Sequence, residues 1–400
     1  MCYFVLNNTY NFMHAHKNLF IFVFIKDDDM QQDSSPISNP TVQHLSTKEL
    51  NGKTIYFLKR QDRDARAAMD ALCKELKPVC PSQQMNRRRI HEQLVKELDG
   101  DYQGGLIRLD VKSCFEHIPY QRVVAILRQK AALSEQAYER LEMFQQDYRQ
   151  LSDGGTAIPR GLASTMLLAG IYLETLDEEL LRLPGVRVSI RYVDDNIITF
   201  DRTQAGMTAQ QMFQKIKEVY NRFDLEIHDP NVIPYKGDIF EDKDHCDFPF
   251  LGWNISKSSD KEPSQWTLGE DVTMHNMYVV KFYVDHFLER LAKLEESEKS
   301  PLAELLSGLR LATSCRRIKK KGYAVHCGLR FSFPYLTSTA QLEWMDQFRE
   351  KQLQRITPDR IPDGFMGAGK WFSKEETARF IVRRCSKYTF LKGYKERRFA

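Results

Sequence analysis

The sequence predicts an α+β protein in which short antiparallel strands carry the chemistry and helices cover them. Three observations lead there. The β-rich runs are short and separate: Leu106 to Val111, Val186 to Phe200 and Phe248 to Ile255. The second is split by Asp194-Asp195-Asn196 into two arms, the pattern of a hairpin. Longer stretches of helical period surround them, at Gln121 to Tyr148, Leu162 to Leu181, Met207 to Phe223, Val272 to Leu294 and Leu302 to Ile318. With 400 residues, 42% hydrophobic and 28% charged, the chain has material for two to three packed domains and is not of disordered composition.

The first residues, 1 to 30, are unlike the remainder and read as an extension, disordered or set by a start codon placed too early, with a partly ordered strand as the alternative. Their apolar run, Leu19 to Ile25, is too short to span a bilayer and lacks the flanks of a signal peptide. Residues 31 to 48 are rich in Ser, Pro and Asn and read as linker. Gly52 to Leu98 reads as mostly helical and basic. Arg60, Arg63 and Arg66 share a face, and Arg87-Arg88-Arg89 opens a helix whose apolar stripe is Ile90, Leu94 and Leu98. Gly252 marks a bend within Phe248 to Ile255. The eight cysteines form no CxxC pair and show no zinc-ligand spacing with histidine, so they read as reduced thiols of a cytoplasmic protein.

Net charge is only +4, so the placement of charge matters more than its sum. From Ile356 to Ala400 there are 11 Lys+Arg against 5 Asp+Glu, interleaved with Trp371, Phe372, Tyr388, Phe390 and Tyr394. Basic groups follow phosphates while rings stack on bases, so this tail is a candidate nucleic-acid contact; packing of the rings against the rest of the chain is the alternative. Arg316 to Lys321 is a second candidate.

An Asp-Asp pair alone says little, because Asp27-Asp28-Asp29 also occurs here. Between two β-rich arms it says more. A tight hairpin ordinarily takes Asn-Gly or Asp-Gly, and two adjoining carboxylates need a cation or a raised pKa. Asp110 ends another apolar strand. If that strand neighbours the hairpin, three hard oxygen donors converge, a set suited to Mg²⁺. Two such ions can activate a 3′-hydroxyl and stabilise a departing pyrophosphate. The backbone carbonyl of Val111 is a further ligand candidate.

Tyr192-Val193-Asp194-Asp195 resembles the YxDD box of reverse transcriptases. Asp110-Val111-Lys112-Ser113-Cys114-Phe115 resembles their first catalytic motif, and Ile158-Pro159-Arg160-Gly161-Leu162 the motif between the two, with Arg where Gln is usual. Phe250-Leu251-Gly252-Trp253 resembles the primer grip, and Lys236 falls where the family places a lysine. Five motifs in family order resemble that family over this part of the chain.

The resemblance implies a right-hand polymerase. Its fingers would be 31–105 and its palm 106–256, with a fingers insertion near 120–155. A helical thumb at 257–355 and a basic segment at 356–400 would follow. It implies two Mg²⁺ ions, with Mn²⁺ as a substitute, on Asp110, Val111, Asp194 and Asp195. Phe115 would be a steric gate against a 2′-hydroxyl, with core packing as the alternative. Lys236 would protonate or neutralise the leaving pyrophosphate, unless it is a solvated loop lysine. Pro159, Arg160, Gly161 and Tyr192 would line the dNTP and template site, and Arg160 could reach a phosphate instead of a base. Lys59, Arg60 and Arg87 to Arg89 are candidates for the triphosphate.

The expected activity is RNA-templated DNA synthesis from a 3′-hydroxyl or a protein primer. The expected partners are an RNA template, a dedicated non-coding RNA among the options, together with dNTPs and a DNA product. No maturase, HNH, RNase H or retron Val-Thr-Gly segment is visible. The Arg-rich helix start running into Ile107 to Ser113 is similar to the free-standing bacterial enzymes of phage defence, which work with a non-coding RNA, a second protein or a homo-oligomer. No membrane role is expected. An RNA-dependent RNA polymerase and a catalytically idle RNA-binding scaffold are the competing readings.

Overall fold

The computed structural model describes residues 43–50, 52–59, 61–80, 87–130, 132–233, 236–293, 301–313, 316–320, 323–327, 335–363, 365–367 and 372–395. The expected N-terminal extension and most of the expected linker lie outside them. The described residues form two compact units, one running to Cys246 and including Lys257–Pro263, the other holding Asp247–Ser256 and the chain from Ser264 onward.

The first unit opens with an antiparallel hairpin, β1 (Leu45–Leu50) and β2 (Lys53–Leu58), where a helical reading was expected from Gly52. The run Thr54-Ile55-Tyr56-Phe57 is β-branched and aromatic, which favours a pleated strand. Helix α1 (Arg63–Leu76) then starts at Asp62, whose carboxylate accepts from the Ala65 N–H at 2.9 Å, and buries Ala65, Met69, Leu72 and Leu76. Helix α2 (Arg87–Leu98) buries the expected stripe Ile90, Leu94 and Leu98.

A four-stranded sheet follows. Its strands are β3 (Gly104–Asp110), β4 (Val186–Tyr192), β5 (Asp195–Asp201) and β6 (Gly237–Phe240), in the order β4-β5-β3-β6, every pair antiparallel. The helices of this stretch are α3 (Cys114–His117), α4 (Tyr120–Gln129), α5 (Glu135–Leu151), α6 (Thr165–Leu181), α7 (Arg202–Ala205) and α8 (Ala209–Arg222). Side chains alternate across a strand, so β3 sends Ile107 and Leu109 to one face and Arg108 and Asp110 to the other. Ile107, Leu109, Ile198 and Phe200 join Leu168, Tyr172, Phe213 and Tyr220 of α6 and α8 in the main core. On the opposite face the buried Glu97 of α2 accepts from Arg187 Nε of β4 at 3.1 Å and Thr199 Oγ1 of β5 at 3.2 Å. One buried carboxylate thus ties that helix to two strands.

The second unit contains, but for their end residues Cys246 and Lys257, β7 (Cys246–Phe250) and β8 (Trp253–Lys257), with β9 (Gln265–Leu268) in the same sheet, then α9 (Glu270–Ala292), α10 (Pro301–Thr313), the pair β10 (Arg316–Lys320) and β11 (Tyr323–Cys327), and α11 (Ala340–Leu353), α12 (Lys374–Cys385) and α13 (Phe390–Lys395). The single strand expected from Phe248 to Ile255 is two strands, turned at Leu251 and Gly252, whose φ angles are +51° and +86°. The helix expected to reach Ile318 stops at Thr313, because Arg316–Lys320 pairs as a strand with Tyr323–Cys327. Trp253 and Trp266 meet edge to face at 5.6 Å in this unit's core. The Asp346 carboxylate of α11 accepts the Phe390 and Leu391 N–H groups at 2.8 and 3.0 Å, holding the start of α13.

Gly161 has a sharp structural requirement. Its φ is +107°, and a Cβ there would lie 2.5 Å from Ile55 Cγ2 and 2.6 Å from the Tyr56 carbonyl oxygen. Gly161→Ala should destabilise the chain by about 1–3 kcal/mol in urea unfolding. An unchanged midpoint would refute this close approach to β2.

Candidate functional site

Strand register builds the site. Asp110, the last residue of β3, lies directly across from Asp195, the first residue of β5. Asp195 is also paired with Tyr192 at the end of β4, which leaves Val193-Asp194 as a two-residue turn. Val193 has φ +61°, although a β-branched residue rarely adopts positive φ and glycine usually takes that place. The turn is held from below. Arg191 grips Asp177 of α6 through Nη2 at 2.7 Å and Nε at 3.1 Å, and its Nη1 donates to the Val193 carbonyl at 3.4 Å. Asn196, fully buried, donates to Ser189 Oγ and Tyr220 Oη at 3.0 and 3.1 Å. Just after β3, the Val111 N–H donates to the Asp194 carbonyl at 3.1 Å. These bonds fix a strained turn in one conformation.

Lys236 directly precedes β6, whose Gly237 is paired with Leu109. That register carries Lys236 Nζ to Asp110 Oδ2 at 2.6 Å. His228 adds Nε2 to the same oxygen at 3.5 Å, and the His228 backbone N–H donates to the Asp110 carbonyl at 2.9 Å. On the neighbouring position of the same sheet face, Arg108 lies 2.9 Å from Asp238 and 3.9 Å from Asp195. The acids therefore stand among cations but are not neutralised by them. Burial, then the charge of Asp194, pushes the Asp195 carboxyl up to about 7 against the pull of Arg108. Burial and Asp110 raise Asp194 as well, with Arg160 and Lys236 opposing. Burial lowers His228 despite the adjacent Asp110.

Among the described residues, no three His, Cys, Asp or Glu side chains are gathered as a ready-made metal cluster. Asp110 already spends one oxygen on Lys236. The donor set nevertheless fits a hard dication: the side chains are carboxylates, and burial first, then neighbouring negative charge, raises the proton affinity of Asp194 and Asp195.

The other expected residues occupy distinct places. Phe115 is 4% exposed and belongs to the main core. The Arg160 guanidinium lies 4.7 Å above its ring. Arg160 is itself buried, and its Nε and Nη2 hold Glu116 at 2.6 and 2.8 Å. Pro159 is buried, with its carbonyl accepting from Thr165 Oγ1. The Tyr56 N–H donates to the Arg160 carbonyl at 2.8 Å, stapling this turn to β2. Tyr192 is half-buried beside the acids.

Of the basic candidates, Lys59 is turned to the Gln43 carbonyl at 2.5 Å and Arg88 to Glu92 at 2.7 Å. Arg89 is exposed, while Arg60 and the Arg87 side chain lie outside the described residues. In the C-terminal segment Phe390 and Tyr394 are buried and Tyr388 is half-buried, so packing claims those rings. Phe372 is exposed, and Trp371 lies outside the described residues. The exposed Phe380, on α12 with Arg379, Arg383 and Arg384, is the aromatic that sequence reasoning missed. The side chains of Arg316 to Lys321 are likewise outside the described set. Arg108, His228, Glu116, Arg191 and Asp177 were also missed. For Arg108 the signal was present, two residues before Asp110 and so on its face; for the others no local pattern exists. The described cysteines Cys73, Cys80, Cys114, Cys246 and Cys385 are free thiols. Among the described residues no helix is long and apolar enough to cross a membrane.

No protein-family model matches the chain, and no curated protein matches it. Among solved structures, an apo telomerase from Candida tropicalis truncated from its C-terminal domain is similar at 11% identity and TM-score 0.36, over 52% of this chain and 46% of that one. A telomerase from Candida albicans, in complex with a TWJ fragment of telomeric RNA, is similar at 10% identity and TM-score 0.35, over 81% of this chain and 53% of that one. The chain thus spans about half the length of each, and the likeness is loose.

The raised Asp195 carboxyl has a measurable consequence. The folded chain holds this proton more tightly than the unfolded chain, so the carboxyl costs nothing below its unfolded pKa of about 3.9. Its cost grows as pH rises and levels off above about 7. In metal-free buffer Asp195→Asn should be more stable than the parent chain near pH 8, with the gap closing toward about pH 4. Denaturant unfolding across that range checks it; a pH-independent gap would contradict the raised pKa.

Proposed function

We propose that this chain is a template-directed polymerase of the reverse-transcriptase type, an enzyme that copies RNA into DNA. One observation carries the reading: the register that sets Asp110 opposite Asp195 at the foot of the strained Tyr192–Asp195 turn. A turn of that kind, braced by Arg191 and Asn196 and crowded with carboxylates, is poor design for stability alone.

Asp110, Asp194, Asp195 and the Val111 carbonyl would hold two Mg²⁺ ions, or Mn²⁺ in their place. When bound, the ions supply charge neutralisation at the reacting phosphate and a more acidic 3′-hydroxyl. The chain's own groups do the rest. Lys236 stands beside Asp110, where it can neutralise or protonate a departing pyrophosphate. The Phe115 ring, packed in the core with Arg160 stacked on it, would meet a 2′-hydroxyl only through its small exposed edge. Pro159, Gly161 and Tyr192 complete the walls for nucleotide and template. An RNA template, dNTPs and a DNA product are the partners this reading requires. The similarity of Ile107 to Ser113 and its preceding Arg-rich helix to free-standing bacterial enzymes supports a role in antiphage defence in the cytoplasm, with a dedicated non-coding RNA or a second protein.

Primer extension on an RNA template tests the reading. The parent chain should incorporate dNTPs with Mg²⁺, and Asp194→Ala with Asp195→Ala should reduce incorporation below detection. Efficient extension with ribonucleotides alone would favour RNA synthesis instead. Phage protection by the double variant equal to the parent would favour an idle scaffold.

Lys236→Ala should lower kcat by about 10²–10⁴-fold with a smaller change in KM. Single-turnover incorporation measures it, and an unchanged rate would make Lys236 a structural counter-ion of Asp110 only.

A further inference from the structure

Arg160 and Glu116 form a pair to whose charges the reaction as described gives no part. The Glu116 carboxylate lies across the Arg160 fork, 2.6 Å from Nε and 2.8 Å from Nη2. Two parallel N–H donors at these distances match two oxygens of a phosphate as well as those of a carboxylate. The two partners are held very differently. Arg160 is 7% exposed, stacked on Phe115 and fixed through its carbonyl by the Tyr56 N–H. Glu116 is 38% exposed on the four-residue helix α3, entered through Ser113 in the left-handed conformation at φ +44°. The guanidinium is the more buried and more fully held member, and the carboxylate the more exposed one.

The surroundings favour an incoming anion. Burial pushes the Glu116 carboxyl up, but the Arg160 hydrogen bonds and charge, joined by Lys53, bring it below its ordinary value. Lys53 opens β2 and is exposed. Tyr56 and Tyr148 also feel the Glu116 charge. Arg160 binds this carboxylate directly, and Lys53 adds positive charge to its surroundings.

We propose that the Arg160 guanidinium is a polyphosphate-binding group that Glu116 covers in the free protein, and that a pyrophosphate group displaces Glu116 and takes the fork, with Lys53 as its second cation. Glu116 is then a built-in competitor that keeps the site closed to weaker anions. Assigning the pyrophosphate group to a nucleotide rests on the polymerase reading; the anion site does not.

Calorimetric titration of the full chain with inorganic pyrophosphate, in metal-free buffer, tests the proposal. Glu116→Gln should bind at least about 10-fold tighter than the parent, because the competitor has lost its charge. Arg160→Gln should bind at least about 10-fold weaker, and Lys53→Ala weaker by a smaller factor. Equal or weaker binding by Glu116→Gln, or parent-like binding by Arg160→Gln, would overturn it. A second measurement covers a variant that does not fold. In the parent chain the Glu116 carboxyl carbon resonance, assigned by through-bond correlation to its own backbone, should shift when pyrophosphate is added; a stationary resonance would overturn the proposal. Titration with dATP separates the sources. The same order of affinities assigns the fork to a nucleotide tail, and an order seen with pyrophosphate alone assigns it to the free anion. Failure of the polymerase reading is distinct from all of these, since it appears as no dNTP incorporation by the parent chain.

Discussion

The pairing of β3 with β5 is the constraint on which the first unit depends. One register places Ile107 and Leu109 with Ile198 and Phe200 on the helix-covered face. The same register places Asp110 against Asp195 on the other. A slip of one residue would exchange the faces, turning the carboxylates into the core and the aliphatic side chains away from it. Core packing therefore enforces the geometry of the acids, and the acids need no interaction of their own to be brought together.

Once assembled, the carboxylates are a problem that neighbouring charges only partly solve. Lys236 serves Asp110, and Arg108 is divided between Asp238 and Asp195. Asp194 has no comparable direct cation in the pairs described, and its carboxyl is raised with that of Asp195. Removing this repulsion would be easy for a fold under no other demand: Asn-Gly at the turn would relieve both charge and strain. Instead the chain spends a bidentate Arg191–Asp177 pair and a fully buried Asn196 on bracing the turn as it is. The polar bracing sits on the helix side of the sheet and the reactive groups on the other, so the two tasks do not compete for the same atoms.

The turn from Ile158 to Gly161 works by a similar division. Gly161 lets the backbone approach β2, the Arg160 carbonyl is bound there, and the Arg160 side chain crosses to Phe115 and Glu116. Backbone and side chain of one residue thus connect the β1–β2 hairpin to the segment that follows β3. Arginine suits this place better than a shorter amide, because one planar group can stack on a ring and fork a carboxylate at once.

The sequence by itself determined which segments could be strands around the acids, because alternation and a broken β-run are local signals. It also placed Ile90, Leu94 and Leu98 on the buried stripe of one helix, since a 3.6-residue period is written in adjacent residues. It misjudged β1–β2, where a short aromatic strand sits beside a basic helix, and Arg316–Lys320, whose hydrogen bonds come from β11 rather than from its own turn of chain. Only the tertiary structure decided what each charged side chain meets. Lys236 reaches Asp110 across 126 positions and Arg160 reaches Glu116 across 44, and no window of sequence contains such a pair. It also decided that Phe390 and Tyr394 are core while Phe380 faces outward, for burial depends on which elements pack together and not on which residues are aromatic.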